Sequence, residues 1–419
     1  MSRGVRSLAG VPRVRQFRFA LQLTAGQERA AHRLVDTQCE LYNAALQERR
    51  DTYRLAVARG RCRPRVNYAH QCRELTHVLA DRPDLAAFGT VVSRGTLRRL
   101  ERAFAAFYRR VAAGQTPGFP RYRSRRRFDS VSYEDRSGWK LEPASSRLHL
   151  LGVGQVRVRL HRPIPDGARL RTCVVRRERV VRRRGHPTRA RWTATIALEL
   201  PAAVPLAPSG RRCGVDVGVR VLAAVVDDRG CATLIANPRP LAAATARLET
   251  AQRRLARAQP RSHRRERARA AVAAAHAKVT RTRAWHTHQL SHDLVRDYDL
   301  IAIEDLKVTK MTRSAAGTLD CPGVNVAAKA GLNRAILDAG WAQLRRQLSY
   351  KAADAGREVV AVAPQRTSQT CHRCGHTDPA NRRGAVFDCT ACRHHAHADI
   401  NAAANILQRA ESARQPPAA

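Results

Sequence analysis

The chain has 419 residues, 77 of them Lys or Arg against 34 Asp or Glu, for a formal net charge of +43. At 44% hydrophobic residues it is no disordered basic tail, and its length holds one large domain or a few ordinary ones. No apolar run of about eighteen residues exists to cross a membrane, and residues 1–16 alternate arginine with small residues where a secretion signal needs an apolar stretch, so a cytoplasmic location is expected. Only six of the basic residues are lysine. The planar fork of arginine suits phosphate, and so large a positive charge calls for a polyanion; nucleic acid is the expected partner, not a membrane or a small-molecule substrate.

Residues 14–24 alternate apolar and polar side chains, the pattern of a half-buried strand. Thr24 then caps a helix over about 27–50, and Ser93 opens a second over 93–112, with Leu97, Leu100, Phe104, Phe107 and Val111 on one face. A basic, turn-rich stretch follows, containing Pro117-Gly118-Phe119-Pro120-Arg121-Tyr122. Short strands are expected at 156–160, 170–176 and 192–200, the last after a turn at Gly185-His186-Pro187. The region 1–205 therefore reads as strand-rich with a helical insertion over about 25–125, and 201–209 as a linker. Phe119, Tyr122, Tyr133 and Trp139 lie among arginines and suit base stacking, although core packing is the more ordinary use of any one of them.

Beyond 210 the texture changes to alternating strands and helices. Three strands are expected at 213–217, 221–226 and 232–236, with tight turns at Gly218 and at Asp228-Arg229-Gly230. Two Ala/Arg-rich helices, 240–258 and 262–297, break at Gln259-Pro260. Leu241, Leu248 and Leu255 recur at heptad spacing, as do Val272 and Val279, so the arms pair as a hairpin that is either a solvated charged face or a nucleic-acid contact. A strand over 299–304, a helix over 328–355, a strand over 358–363 and a helix over 399–409 complete the domain, and 411–419 is expected to be a flexible tail.

Of eleven cysteines, seven are scattered: Cys39, Cys62, Cys72, Cys173, Cys213, Cys231 and Cys321 read as buried small residues in a reducing compartment. The other four form Cys371-x2-Cys374-x14-Cys389-x2-Cys392. Two tight turns that each present a pair of thiolates close a tetrahedral Zn²⁺ shell, and a filled four-sulfur shell folds a segment without catalysing. His394, His395 and His397 stand close enough in sequence to compete as ligands. Three acids lie at element ends. Asp216 interrupts the apolar Gly214-Val215-Asp216-Val217-Gly218, Glu304 ends Leu300-Ile301-Ala302-Ile303, and Asp399 opens the last helix, where an N-cap is its ordinary role. Taken singly each is weak. A buried Asp costs several kcal/mol unless paired or bound to metal. Together, converging at one end of a sheet, the three suit a pair of Mg²⁺ ions and phosphodiester hydrolysis.

In the order in which they occur, GVDVGVRVLAAVVDD, LIAIEDLKVTKMTRSAAGT and TSQTCHRCGH with FDCTACRHHAHADINAAANIL resemble the TnpB (OrfB) family of insertion-sequence proteins. Asn333 to Asp338 with Trp341, and the Pro117 to Tyr122 motif, are further landmarks of that likeness. The resemblance implies an RNA-guided DNA nuclease, long described as a transposase. Its fold would be an α/β ribonuclease-H-like (RuvC) domain over 210–410 with a four-cysteine zinc ribbon inserted at 367–396, preceded by a β-barrel-like, wedge-type region that holds RNA. It implies Asp216, Glu304 and Asp399 as the catalytic, magnesium-binding triad. The implied partners are a guide RNA from the transposon end and target DNA, in a bacterial, nucleoid-associated setting. Arg393 stands where the family usually has glycine, so the second cysteine turn is expected to differ from the first. The competing readings are a transposase with protein-read DNA specificity, a non-catalytic zinc-stabilised DNA-binding accessory protein, and a Holliday-junction resolvase. The last explains neither the zinc segment nor the basic N-terminal half.

Overall fold

The computed structural model describes residues 13–60, 66–178, 190–318 and 320–414. They form two compact units, one ending at Ala202 and the other beginning at Ala203. Cys62 and the Gly185-His186-Pro187 turn lie outside the described residues, as does the chain beyond 414. Among the described residues, no helix is long and apolar enough to cross a membrane.

The first unit begins with strand β1 (Arg13–Gln22) and helix α1 (Ala25–Ala58). Thr24 caps α1 through a reciprocal pair of bonds with Gln27. Helix α2 (Tyr68–Asp81) is a turn-capped element that the sequence reading lacked: Asn67 accepts from the His70 N–H. The short α3 (Pro83–Ala86) leads to α4 (Gly89–Ala112), which starts ahead of Ser93. Ser93 does not open the helix. It is fully buried on the inner face, where it accepts from Gln38 at 3.4 Å. Strands β2 (Ser130–Tyr133), β3 (Trp139–Glu142), β4 (Arg147–Leu150), β5 (Gly154–Arg159), β6 (Arg169–Glu178) and β7 (Arg191–Leu200) join β1 in one antiparallel sheet. Its order is β2-β6-β7-β1-β5-β4-β3, so the hydrogen-bond ladder runs from β2 to β3. The inner faces of sheet and helices share one core around Phe19, Leu34, Leu100, Trp139 and Trp192. Tyr133 and Trp139 belong to that core and cannot stack on bases, whereas Phe119 and Tyr122 are 44% and 43% exposed.

The second unit is built on strands β8 (Arg212–Val217), β9 (Val221–Asp227), β10 (Ala232–Ala236), β11 (Leu300–Glu304) and β12 (Glu358–Val362), in the order β10-β9-β8-β11-β12. The first three are antiparallel; β8, β11 and β12 are parallel. Helices α5 (Pro240–Arg257) and α6 (His263–Asp297) form a hairpin, with Leu248 and Ala251 buried on one arm and Ala275 and Val279 on the other. After the short α7 (Val308–Met311) come α8 (Val326–Ala339) and α9 (Trp341–Ala355). These two replace the single helix expected over 328–355. Gly340, at φ 75°, takes the left-handed conformation that ends one helix and starts the next.

Alternation along the strands divides the sheet into two faces. Cys213, Val215, Ile301 and Ile303 pack on α6 and α9. The other face, with Leu300 and Ala302, packs on α10 (Ala398–Ser412), which runs through Glu411 and Ser412 where a flexible tail was expected. Glu411 pairs with Arg212 at 2.9 Å, which holds that end down. Helix α10 lies close to the sheet because Gly214 faces it. A Cβ on Gly214 would sit 2.8 Å from the Leu407 nitrogen and well inside contact with the Ala403 carbonyl oxygen. Between β12 and α10 the chain makes a small sheet of β13 (Arg382–Arg383), β14 (Val386–Asp388) and β15 (His395–His397). Of the scattered cysteines, Cys39, Cys173 and Cys213 are buried and Cys72 half-buried. Cys231 and Cys321 are exposed, contrary to expectation, because both lie in turns rather than on core-facing positions.

Candidate active site and metal centre

Asp216 is the fifth residue of β8, Glu304 the last of β11, and Asp399 stands in the first turn of α10. Asp399 is not the cap: His397 is, its Nδ1 accepting from the Asp399 N–H at 3.2 Å. The Asp399 carboxylate faces the end of β8, since a Cβ on Gly218 would lie 3.9 Å from its Oδ2. Burial, followed by the neighbouring charges of Glu304 and Asp399, pushes the Asp216 carboxyl up to about 7. Glu304 is also raised by burial, an effect opposed by the hydroxyl of Thr367, which donates to its Oε1 at 2.5 Å. Arg382, on β13, donates to Asp399 Oδ1 at 2.9 Å and eases the ionisation of both Asp216 and Glu304, the latter helped more by Arg409 of α10. The site is thus a set of partly buried acids with too little positive charge to balance them.

The four cysteines are gathered more tightly. Cys371 and Cys392 stand 3.7 Å apart at sulfur, Cys374 and Cys389 3.6 Å. Bonds of about 2.3 Å in a tetrahedron give edges near 3.8 Å, so the thiols fit a zinc ion and are far beyond the ~2.05 Å of a disulfide. Among the described residues they are the one group of three or more such side chains with ligand atoms all within 4.8 Å. The histidines do not compete. His397 caps α10, His395 pairs with Asp388, and His394 meets His372 edge to face, with ring centroids 4.6 Å apart. The two turns are copies of each other. Gly375 and Arg393 donate to the carbonyls of Cys371 and Cys389, both at 2.9 Å, and both take positive φ, 76° and 56°. The second turn therefore does not differ from the first, contrary to the expectation from Arg393; arginine adopts the backbone that glycine takes in the first. Backbone N–H groups of Cys392 and then Ala391 pull the Cys389 thiol down, while Cys371 and Cys374 in the same cluster are pushed up, so negative charge gathers on one thiol of the group.

Two family profiles match the chain. "Probable transposase" covers residues 195–315, with Asp216 and Glu304 inside, and "Cas12f1-like, TNB domain" covers 341–406, with the cysteines and Asp399. A protein of Escherichia coli (strain K12), InsQ, named as an RNA-guided DNA endonuclease, is 36% identical over 313 residues, 74% of this chain and 72% of its own. The chain belongs to the TnpB (OrfB) family. A second such protein, from Streptomyces pristinaespiralis, is 30% identical over 350 residues, 82% of this chain and 77% of the relative. A Cas12f1–sgRNA–target DNA complex solved by cryo-electron microscopy shares the fold, with a TM-score of 0.54 at 14% identity over 91% of this chain and 82% of that one.

Within this TnpB-family chain, several residues around the site were not singled out from sequence. Thr367 and Arg382 touch the acids directly. Asn401 and Asn405, one turn apart on α10, are buried and donate to the carbonyls of Thr370, and of Thr367 and Thr370. Asn401 Oδ1 also accepts from the His372 N–H at 3.1 Å, which fixes the first cysteine turn to the helix that carries Asp399. Two amides at i and i+4 in the alanine-rich ADINAAANIL are the sequence signal for that brace.

Proposed function

We propose that this chain is an RNA-guided DNA endonuclease whose hydrolytic site is Asp216, Glu304 and Asp399. The observation that carries the reading is the convergence of β8, β11 and α10, far apart in sequence, at one edge, where burial and the charges of Glu304 and Asp399 hold the Asp216 carboxyl up to about 7. We read the β10-β9-β8-β11-β12 sheet as ribonuclease-H-like, and the domain from about 210 to 410 as the nuclease. Three hard oxygen donors suit Mg²⁺, and the uncompensated charge among them is what a divalent cation would neutralise. Two such ions, when bound, would supply an activated water and charge stabilisation at the leaving oxygen.

The chain's own residues then have distinct tasks. Thr367 orients Glu304, and Arg382 holds Asp399 while adding positive charge where a phosphate would approach. The zinc-type segment acts as a clamp that places Arg382 and braces α10. The N-terminal unit, with its arginines and the exposed Phe119 and Tyr122, is read as the RNA-binding half, contacting phosphate through charge and bases by stacking. Sequence reading of the target falls to guide pairing, as in guided nucleases generally. The test is to express the protein with its native flanking DNA, purify it and sequence the RNA that stays bound. A discrete species from the element's end with a variable terminal segment, which programs DNA cutting, is expected. Heterogeneous fragments with no programmed cutting would overturn the reading.

A further inference from the structure

On the face of the sheet opposite Asp216, and reaching Glu304 at the strand end, lies a cavity of 630 Å³. Val217 and Trp341 of α9 offer its open apolar surface, with Val215, Ile303, Leu344 and Leu348 closing it from the core behind. Val215, Val217 and Ile303 alternate with the acids along the same two strands. Acids and cavity therefore open at one edge of the sheet, back to back. Trp341 is fixed in place there: its Nε1–H donates to the Gly218 carbonyl at 3.3 Å while its ring lines the cavity.

The mouth has the opposite character. Lys307, Lys310, Arg345 and Arg346 surround it. Asp305 engages Lys307 and Arg345, the latter at 2.5 Å. Lys310 and Arg346 are exposed and have no carboxylate partner among the described residues. An apolar, tryptophan-walled pocket with unneutralised cations at its opening suits a flat body carrying a phosphate. The polyanion already expected at this edge is the strand being cut.

We propose that the cavity receives one nucleobase of the DNA strand beside the scissile phosphodiester, with the phosphate of that nucleotide on Lys310 and Arg346. The inference rests on the nuclease reading above. The base would enter over the edge of the sheet while the neighbouring phosphodiester lies over Asp216, Glu304 and Asp399, so the pocket fixes the strand on one side of the cut. Its walls recognise a ring face rather than a hydrogen-bonding edge, so purines and pyrimidines are accepted alike.

The test walks an abasic site through single-stranded DNA on both sides of the cut, using the RNA-bound protein. One position flanking the cut should lose about tenfold in kcat/KM, the others little. Thr309→Trp, an exposed position on α7 at the cavity, should slow intact DNA to the abasic rate and erase the position dependence. Equal rates at every abasic position, or an inert Thr309→Trp, would overturn the proposal. A binding readout separates this from failure of the nuclease reading. With Asp216→Asn protein, 2-aminopurine at that same position should be quenched on binding and restored by Thr309→Trp. Quenching without cutting by the wild type would remove the nuclease reading but leave the pocket; no quenching at any position removes the pocket.

Discussion

The ribbon's four thiols come from two local turns of the same shape, between residues 371 and 392, and sit at the spacing that a tetrahedral ion requires. The three acids come from β8, β11 and α10, spread from residue 216 to residue 399, and are brought together only by the whole sheet. The thiols can be assembled by a short segment and its metal alone. Asp216 and Glu304 are raised first by burial and Asp216 then by the charges of the other two acids, so the acids' assembly draws on the packing of α10 against Gly214. One site is a closed four-sulfur shell; the other stays short of positive charge, which suits the cation that the proposed function assigns to it.

The comparison breaks most readily at the ribbon. Cys389→Ser should release stoichiometric zinc, measured by elemental analysis, and withdraw most of the ~10 kcal/mol that coordination contributes to folding such a segment. With the brace from Asn401 to the first turn gone, cleavage should fall with it. Retained zinc with full activity would mean the thiols hold nothing together. Gly214→Ala attacks the acids without touching them. The added methyl meets the backbone of α10, so a destabilisation of about 3 kcal/mol and a lower unfolding temperature are expected.

A subtler difference lies in pH. Without a divalent cation, Asp216 binds its proton more tightly folded than unfolded, so its contribution to stability is full below pH about 4 and is lost as pH rises through about 7. Mg²⁺ competes with that proton. The rise in unfolding temperature on adding Mg²⁺ should therefore be larger at pH 8 than at pH 6, and an equal rise at both would contradict the assignment. The smallest effect separates the two cysteine turns themselves. Arg393 at φ 56° does what Gly375 does at 76°, and Arg393→Gly should stabilise the ribbon by about 1 kcal/mol in denaturant titrations.

How much of this was legible follows from the same contrast. The thiol spacing is a local signal, and Cys371, Cys374, Cys389 and Cys392 could be read directly. Asp216 and Glu304 were visible as acids at the ends of apolar strands, and their convergence with Asp399 could be suggested from the three element ends taken together; the catalytic role came only with the family likeness, because the meeting itself is a property of topology. Arg382 was hidden by the abundance of arginine, and Thr367 by its ordinariness; neither carries a pattern until the fold brings it to an acid. Strands and helices with strong periodicity were readable. The break at Gly340 was missed because apolar positions run through it, and α2 because its pattern is short and lies between basic turns.

The central claim is that Asp216, Glu304 and Asp399 cut DNA under the direction of a bound RNA. The most direct measurement is single-turnover cleavage of a guide-matched DNA by wild-type and Asp216→Ala protein with equal RNA content, in Mg²⁺. The account predicts a loss of about a thousandfold or more, since removing one charged ligand forfeits several kcal/mol of transition-state stabilisation, with RNA binding unchanged. Undiminished cutting by the variant would contradict it.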